Sequence, residues 1–464
     1  MAQIPFRCDS AQPCKALESE SRTMSSITHS EPNSSTLERD ARVITADHSV
    51  APGEIAVGVV IGRASEYFDF FVYGIASCLV FPALFFPFAS PLEGTLYAFV
   101  VFSFAFIARP IGTAISMAVQ QRWGRATKLT MALFLLGTCT VSIAFLPGYG
   151  TAGVTSIVLL SVLRIGQGLA LGGSWDGLPS LLAMNAPKEK RGWYAMLGQL
   201  GAPVGFIVAT ALFAFLYASL NLNEFLAWGW RYAFFVAFAI NVVALFARLR
   251  LVVTHEYEQL LEARELDAVD TSDLVRTQGR NLLIGAFAPL ASYALFHIVT
   301  VFPLSWIQLF THQSITQFLL IQILGGFLAA AGIVVSGKIA DRVGRRRTLG
   351  ALAVMIAVFS GFAPTLLDGG TLGQDVFILI GFILLGLSYG QASGAVTDNF
   401  IGRYRYSGAA LTADLAWLIG AAFAPLVALG LSAHFGLGYV SVYLLSGAGC
   451  TLAALSINRA LGQD

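Results

Sequence analysis

At 464 residues, 56% of them hydrophobic and 12% charged, the chain carries about half the charge of a typical soluble domain. A mean hydropathy of +0.71 points to a membrane protein, and a formal charge of +1 offers no basic surplus for nucleic acid. The five cysteines (Cys8, Cys14, Cys78, Cys139, Cys450) have neither metal-ligand nor disulfide spacing, so no metal and no cofactor are expected.

Met1–Val50 is rich in Ser, Thr, Glu and Asp and has no run fit for a signal peptide; residues 1–53 read as a disordered cytoplasmic tail, with Met24 a candidate start. Twelve mostly apolar segments follow, near 55–86, 94–119, 128–147, 152–184, 192–218, 228–251, 281–310, 315–338, 348–367, 373–398, 406–433 and 436–460. Each is long enough for a helix to cross a hydrocarbon core of ~30 Å. Basic residues follow only the even-numbered segments: Arg122, Arg125 and Lys128; Lys188, Lys190 and Arg191; Arg248 and Arg250 through Arg280; Lys338, Arg342 and Arg345 through Arg347; Arg403 and Arg405. Connectors such as Pro87–Glu93 and Leu367–Asp375 have none. Because basic flanks stay in the cytoplasm, both termini are expected there.

The charged stretch Thr254–Arg280, with a short surface helix expected over His255–Glu265, splits the chain into six spans plus six. The predicted domains are an N-terminal bundle over 54–252, a cytoplasmic linker over 253–280 and a C-terminal bundle over 281–464. The halves share a weak repeat: Met117–Arg125 (MAVQQRWGR) and Gly337–Arg346 (GKIADRVGRR) both place Arg-x-Gly-Arg in the same two-helix connector. Parallel halves of this kind predict a substrate site between them near the bilayer midplane.

Several motifs carry a resemblance: Gly62–Ser77 (GRASEYFDFFVYGIAS), Ile107–Gly112 (IARPIG), Leu163–Gly177 (LRIGQGLALGGSWDG), Ala186–Gly205, Trp228–Phe235 (WGWRYAFF) and Arg405–Leu411. Together they resemble the major facilitator superfamily, and within it the metabolite:proton symporters, from about Glu54 to Arg459. The resemblance implies an all-α integral membrane protein of twelve transmembrane helices in two six-helix bundles, a monomer in the bacterial inner membrane. It implies gating roles for Arg122, Gly124, Arg125, Asp341, Arg342, Gly344 and Arg345, and for Asp398, which matches the family's acidic residue there. It implies substrate binding by Arg109, in the R-P-x-G stretch, and proton coupling by Arg164, in the R-x-x-Q-G stretch. The substrates implied are carboxylates or zwitterions such as 2-oxoglutarate, citrate, shikimate, proline and betaine.

The residues themselves point the same way. Glu66 and Asp69, three apart in the first span, share roughly one helix face, and Arg109 and Arg164 lie well inside the second and fourth spans. Buried ions cost several kcal/mol unless paired or facing water, so these four are functional candidates. A nearby arginine disfavours protonation of a carboxylate; moving it toward a substrate anion would make anion and proton bind together. The expectation is that Arg109 meets a substrate carboxylate, with Tyr67, Tyr73 and Gln199 beside it, while Glu66, Asp69 and Arg164 form the proton-linked network. Static ion pairs that fix helix register are the competing reading.

Arg63 is expected to snorkel or pair with Glu66, Arg231 and Trp228 with Trp230 to sit at the interface, and His297 to be a satisfied core residue. Asp414, where the family commonly has an amide, is either a second titrating site or the partner of a cation. Tyr293, Phe296 and Trp306 either line a pocket or pack. In the resembling family the loop motif reads roughly G-x-x-x-D-R-x-G-R-[RK] and the fourth span GGEWGG; Gln121 stands in place of the first loop's aspartate, Ser174 and Asp176 depart from the fourth-span pattern, and Asn185 replaces an acidic residue of the family. Gln199–Gly205 and Gly420–Pro425 are expected to loosen the fifth and eleventh spans. An enzyme is not expected, since no nucleophile elbow, phosphate loop or metal site occurs. The function expected is proton-coupled uptake of a small organic acid or carboxylate-bearing zwitterion, with protons and the lipid bilayer as further partners. Drug efflux, uncoupled facilitation and a sensor of the same fold are the alternatives.

Overall fold

The computed structural model describes residues 52–174, 190–252, 268–397, 400 and 402–458. The tail Met1–Val50, the helix expected over His255–Glu265, and Asp176, Asn185 and Asp398 lie outside the described residues. The helices are α1 (Pro52–Leu79), α2 (Pro91–Trp123), α3 (Arg125–Ala144), α4 (Val154–Gly173), α5 (Arg191–Ser219) and α6 (Arg231–Val252) in the first half. The second half holds α7 in three pieces (Thr271–Phe287, Leu290–Thr300, Phe302–Phe310), α8 (Ile315–Val343), α9 (Arg345–Asp368), α10 (Gly370–Ala395), α11 (Arg405–Phe435) and α12 (Gly438–Ile457).

Eleven helices among the described residues are long and apolar enough to cross a membrane, and α1 is the twelfth. It fails the apolar criterion for a chemical reason: any 18-residue stretch of it contains Arg63, Glu66 and Asp69. In the first bundle α1 packs on α5 and α6, α2 on α4, and α3 on α4 and α6. In the second, α7 packs on α10 and α12, α8 on α10, and α9 on α10 and α12. The bundles meet through α5 with α8, α2 with α11 and α1 with α7. Burial covers 94% of the apolar window of Leu290–Phe310 but 33% of that in Leu222–Arg248. Protein therefore surrounds α7, whereas α6 faces outward.

The repeated connector has a backbone cause. Gly124 (φ 82°) and Gly344 (φ 91°) stand between α2 and α3 and between α8 and α9 in a left-handed conformation that costs glycine nothing. Glycine also sets the closest helix contacts. A β-carbon on Gly168 or Gly172 would strike the α2 backbone at Ala105 or Arg109, and one on Gly386 would strike the α8 backbone at Ala329. The two halves thus use the same close approach, α4 on α2 and α10 on α8.

The expected loosening occurs in α5, which tightens to a 3₁₀ turn at Gly198–Leu200, and in α11, which breaks into a turn before Ala424. The breaks in α7 at Pro289 and Val301 were not anticipated. Pro303 has no amide hydrogen for the Val299 carbonyl, and Gln322 of α8 supplies the missing donor, with Nε2 at 3.5 Å from Val299 O and 2.9 Å from Thr300 O. Five side chains correct the sequence reading, and a sixth, Trp306, settles a choice left open there. Trp230, expected at the interface, is fully buried against Phe81 and Phe234, and only Trp228 is exposed. Of the two readings of Trp306 the structure displays packing, against Phe302 and Phe310 near the end of α7. Arg125, Lys128, Arg248 and Arg345, read in the sequence as basic charges flanking the spans, are buried, because their helices begin or continue past them.

Replacing Gly168 or Gly386 by alanine is expected to cost about 1–3 kcal/mol by overpacking, whereas alanine at Gly361 or Gly449, which face open space, is expected to be neutral. Thermal midpoints of the purified variants check this.

Candidate functional site

Among the described residues three carboxylates are buried, and helix pairing places each with its partners. The first joins α1 to α6: Glu66 Oε2 accepts from Arg63 Nη1 at 2.7 Å and Oε1 from Arg248 Nη1 at 2.6 Å. Arg248 also donates to Ser174 O at 3.4 Å. A β-carbon on Gly62 would meet the Arg248 guanidinium and displace it, so glycine leaves room for the pair with Glu66. The Arg63–Glu66 pair matches expectation. Arg248 was missed because its place near the end of a span resembles a flanking charge; the signal available was a helix running on to Val252.

The second group lies within the first bundle. Asp69 Oδ2 accepts from Thr140 Oγ1 at 2.5 Å and Asn241 Nδ2 at 2.7 Å, and Oδ1 accepts from Gln167 Nε2 at 3.2 Å. Arg164 Nη1 donates to Gln167 Oε1 at 3.0 Å, and Nε to Phe102 O at 3.2 Å. Gln167 therefore stands between Arg164 and Asp69. Glu66 and Asp69, expected in one network, are bonded into two. The Arg164 guanidinium stacks 3.8 Å above the Tyr73 ring, and Tyr73 is fully buried there. Tyr73, expected beside the substrate, lines neither central chamber; it is a platform for Arg164.

The third group bridges the bundles. Arg109 Nε on α2 is 2.6 Å from Asp414 Oδ1 on α11, and Asp414 Oδ2 accepts from the Thr113 hydroxyl. Thr113 Oγ1 also lies 3.1 Å from Gly172 O. Of the two readings of Asp414, the structure displays the cation partner.

Two chambers lie between the bundles. One, of about 410 Å³ of empty volume, is lined by Arg63, Glu66, Tyr67, Phe106, Arg109 and Trp417. The other, about 440 Å³, is lined by Arg63, Arg109, Gln199, Tyr293, Tyr389 and Trp417 among others. Arg63, Arg109 and Trp417 wall both, with the Arg109 guanidinium 6.0 Å from the Trp417 ring. Tyr67 and Tyr389 share a hydrogen bond across the bundle interface. His297 is fully buried among Phe70, Phe102 and Phe296; Nδ1 is 3.4 Å from the Thr300 hydroxyl and Nε2 has no hydrogen bond among the described residues.

Residues 59–414 match the profile of the Major Facilitator Superfamily. The chain belongs to that superfamily. It is 35% identical over 414 residues to the inner membrane metabolite transport protein YhjE of Escherichia coli K12, covering 88% of this chain and 94% of that one. It is 32% identical to the shikimate transporter of the same organism, over 86% and 92% of the two chains. The crystal structure of a D-xylose-proton symporter shares the fold at a TM-score of 0.67 and 18% identity, over 88% of this chain and 97% of that one. As a Major Facilitator Superfamily member this is a multi-pass membrane transporter, not an enzyme.

At the end that carries the superfamily's loop motif, the bundles are bonded unequally. Asp341 at the end of α8 accepts from the backbone N–H of Gly192 (2.7 Å) and Trp193 (3.2 Å), capping the first turn of α5. In the other half, Gln121 donates to Ala268 O at 2.8 Å, and Lys128 Nζ reaches the Tyr406 hydroxyl at 2.7 Å, which donates to Gln120 at 3.0 Å. Arg345 holds Gly394 O at 3.2 Å, and Arg125 lies over the Tyr406 ring. Arg122 stacks on its neighbour Trp123, and Arg342 is exposed. Gly124 and Gly344 shape the turns.

Glu66→Gln is expected to destabilise the protein by about 3 kcal/mol, because the buried Arg248 guanidinium and the part-buried Arg63 guanidinium lose their shared carboxylate. The double variant Glu66→Gln/Arg248→Met is expected to recover part of that loss, a non-additivity that thermal midpoints of the singles and the double measure.

Proposed function

We propose that this transporter is a proton-coupled symporter for a small organic acid or a carboxylate-bearing zwitterion, working by alternating access in a bacterial inner membrane with the motif-bearing end cytoplasmic. The observation that carries the reading is Arg109. It walls both chambers between the bundles, and among the described residues only its Nε is engaged, by Asp414. The terminal amino groups of its planar fork suit a carboxylate presented from the chamber. Arg63 offers a second guanidinium on the same walls, and Tyr67, Tyr293, Tyr389 and Trp417 supply aromatic faces that accept a flat ring or a methylated ammonium.

For the proton, the buried Asp69 with its three donors and the neighbouring Arg164 form the coupling group. One net positive charge entering with the substrate gains ~2.3 kcal/mol per 100 mV of membrane potential. The turns in α5 and α11 let each bundle rock, and the Asp341 cap on α5 is the contact that parts when the cytoplasmic end opens. The relative named for shikimate, a monocarboxylate, supports the anion reading.

Uptake of labelled carboxylates into proteoliposomes, with and without an inward acid gradient, tests this. Gradient-driven accumulation is expected in the wild type. Arg109→Gln is expected to lower uptake about tenfold or more, since a charge-assisted hydrogen bond contributes roughly 1.5–3 kcal/mol. Asp69→Asn is expected to keep exchange and to lose the part of accumulation that the membrane potential drives. Equal uptake without a gradient would make the protein a uniporter.

A further inference from the structure

Resting on the carboxylate reading of Arg109, we propose that Asp414 is a tethered competitor for that guanidinium. A proton taken up by Asp414 hands Arg109 to the substrate's carboxylate, so that one proton and one anion enter the site together.

The geometry supplies both ends of the exchange. Asp414 engages Arg109 from the opposite bundle through Oδ1, and its second oxygen lies against the Thr113 hydroxyl. That hydroxyl has one hydrogen and two acceptors in reach, the Asp414 carboxylate and the Gly172 carbonyl at 3.1 Å. With Asp414 ionised, one acceptor goes without. With Asp414 protonated, its O–H donates to Thr113 Oγ1 and Thr113 donates to Gly172 O, and both are satisfied. A bonding scheme for the protonated acid is therefore already in place, and it does not involve Arg109.

Charge balances through the step. Before it, guanidinium and carboxylate form a neutral pair; afterwards Asp414 is a neutral acid and Arg109 pairs with the substrate's carboxylate. The proton comes from the aqueous phase with the anion, and no net charge is added to the site. An amide at 414 would lack this exchange, because it carries no charge for Arg109 and takes no proton.

The charged and titratable groups around Asp414 are few. From α2 it faces Arg109, from α1 Arg63, and from α7 Tyr293, whose ring packs on Trp417 one turn along α11. Tyr406, two turns away at the start of α11, holds Lys128 of α3. Asp273, Arg276 and Arg280 on the first piece of α7 are at the surface or its edge, with Asp273 bonded to Arg403. Thr113 bears the hydroxyl but no charge.

Infrared spectroscopy of the reconstituted full chain tests the exchange with no substrate present, by following the C=O stretch of protonated carboxylic acids during a pH titration. The wild type is expected to show an acid band that Asp414→Asn lacks and Asp414→Glu restores. Arg109→Gln, which mimics a guanidinium neutralised by a bound anion, is expected to form the same band at a pH about one to three units higher, the effect of removing an adjacent opposite charge. By reciprocity, whatever neutralises Arg109 then favours the proton on Asp414. An Asp414→Asn titration identical to wild type, or an Arg109→Gln band that does not move, overturns the proposal. If Asp414→Asn fails to fold, the Arg109→Gln shift decides alone. Adding shikimate at constant pH tests the carboxylate reading separately: binding should generate the Asp414 band in wild type, and no response to shikimate or other carboxylates would count against that reading while leaving the titration result standing.

Discussion

A charge placed in hydrocarbon is tolerated only with a partner, and this protein's helices are arranged around such pairs. Glu66 ties α1 to α6 through Arg248, Asp69 gathers α3, α4 and α6 around α1, and Asp414 ties α11 to α2. The first two sets lie within one bundle and fix its packing. The third crosses between bundles, so it is the one of the three that any relative movement of the two halves would have to break. The same physical requirement thus yields ties within one bundle in two places and a tie between the bundles in a third.

Much of the fold was legible in the sequence because lipid imposes a simple rule: backbone polar groups must be satisfied within helices of about 20 residues. The apolar runs, the alternating basic connectors and the repeated Arg-x-Gly-Arg turn gave the number of spans, and the glycines of that turn proved to hold φ 82° and 91°. The errors came where length and burial disagree. Arg248 and Lys128 have the sequence context of flanking charges, yet each is enclosed by a neighbouring helix, a fact of tertiary packing that no single span reveals. Trp230 was misplaced for the converse reason: its residue type suits an interface, but Phe81 of the first half covers it.

Within the candidate site, Arg109, Tyr67 and Gln199 do line the central space, while Tyr73, only six residues beyond Tyr67, carries Arg164 instead. Six residues is well short of two helical turns, so the two rings leave α1 in different directions. The split between Glu66 and Asp69 is subtler. Three residues apart puts two carboxylates on one broad face, and only the positions of α6 and α4 determine that Glu66 meets Arg248 while Asp69 meets Gln167, which in turn holds Arg164.

The enclosed α7 bears on how the chain is assembled. Its apolar surface is covered by protein, and the carbonyls freed by Pro303 are held by Gln322, which lies on the next helix to be synthesised. A helix with open carbonyls is poorly suited to wait alone in lipid. The turn between Phe310 and Ile315 is short, so the helix that carries the donor follows directly on the helix that carries the acceptors. In the order of synthesis the Val299 and Thr300 carbonyls thus come before Gln322, and they gain its amide once α8 lies beside α7.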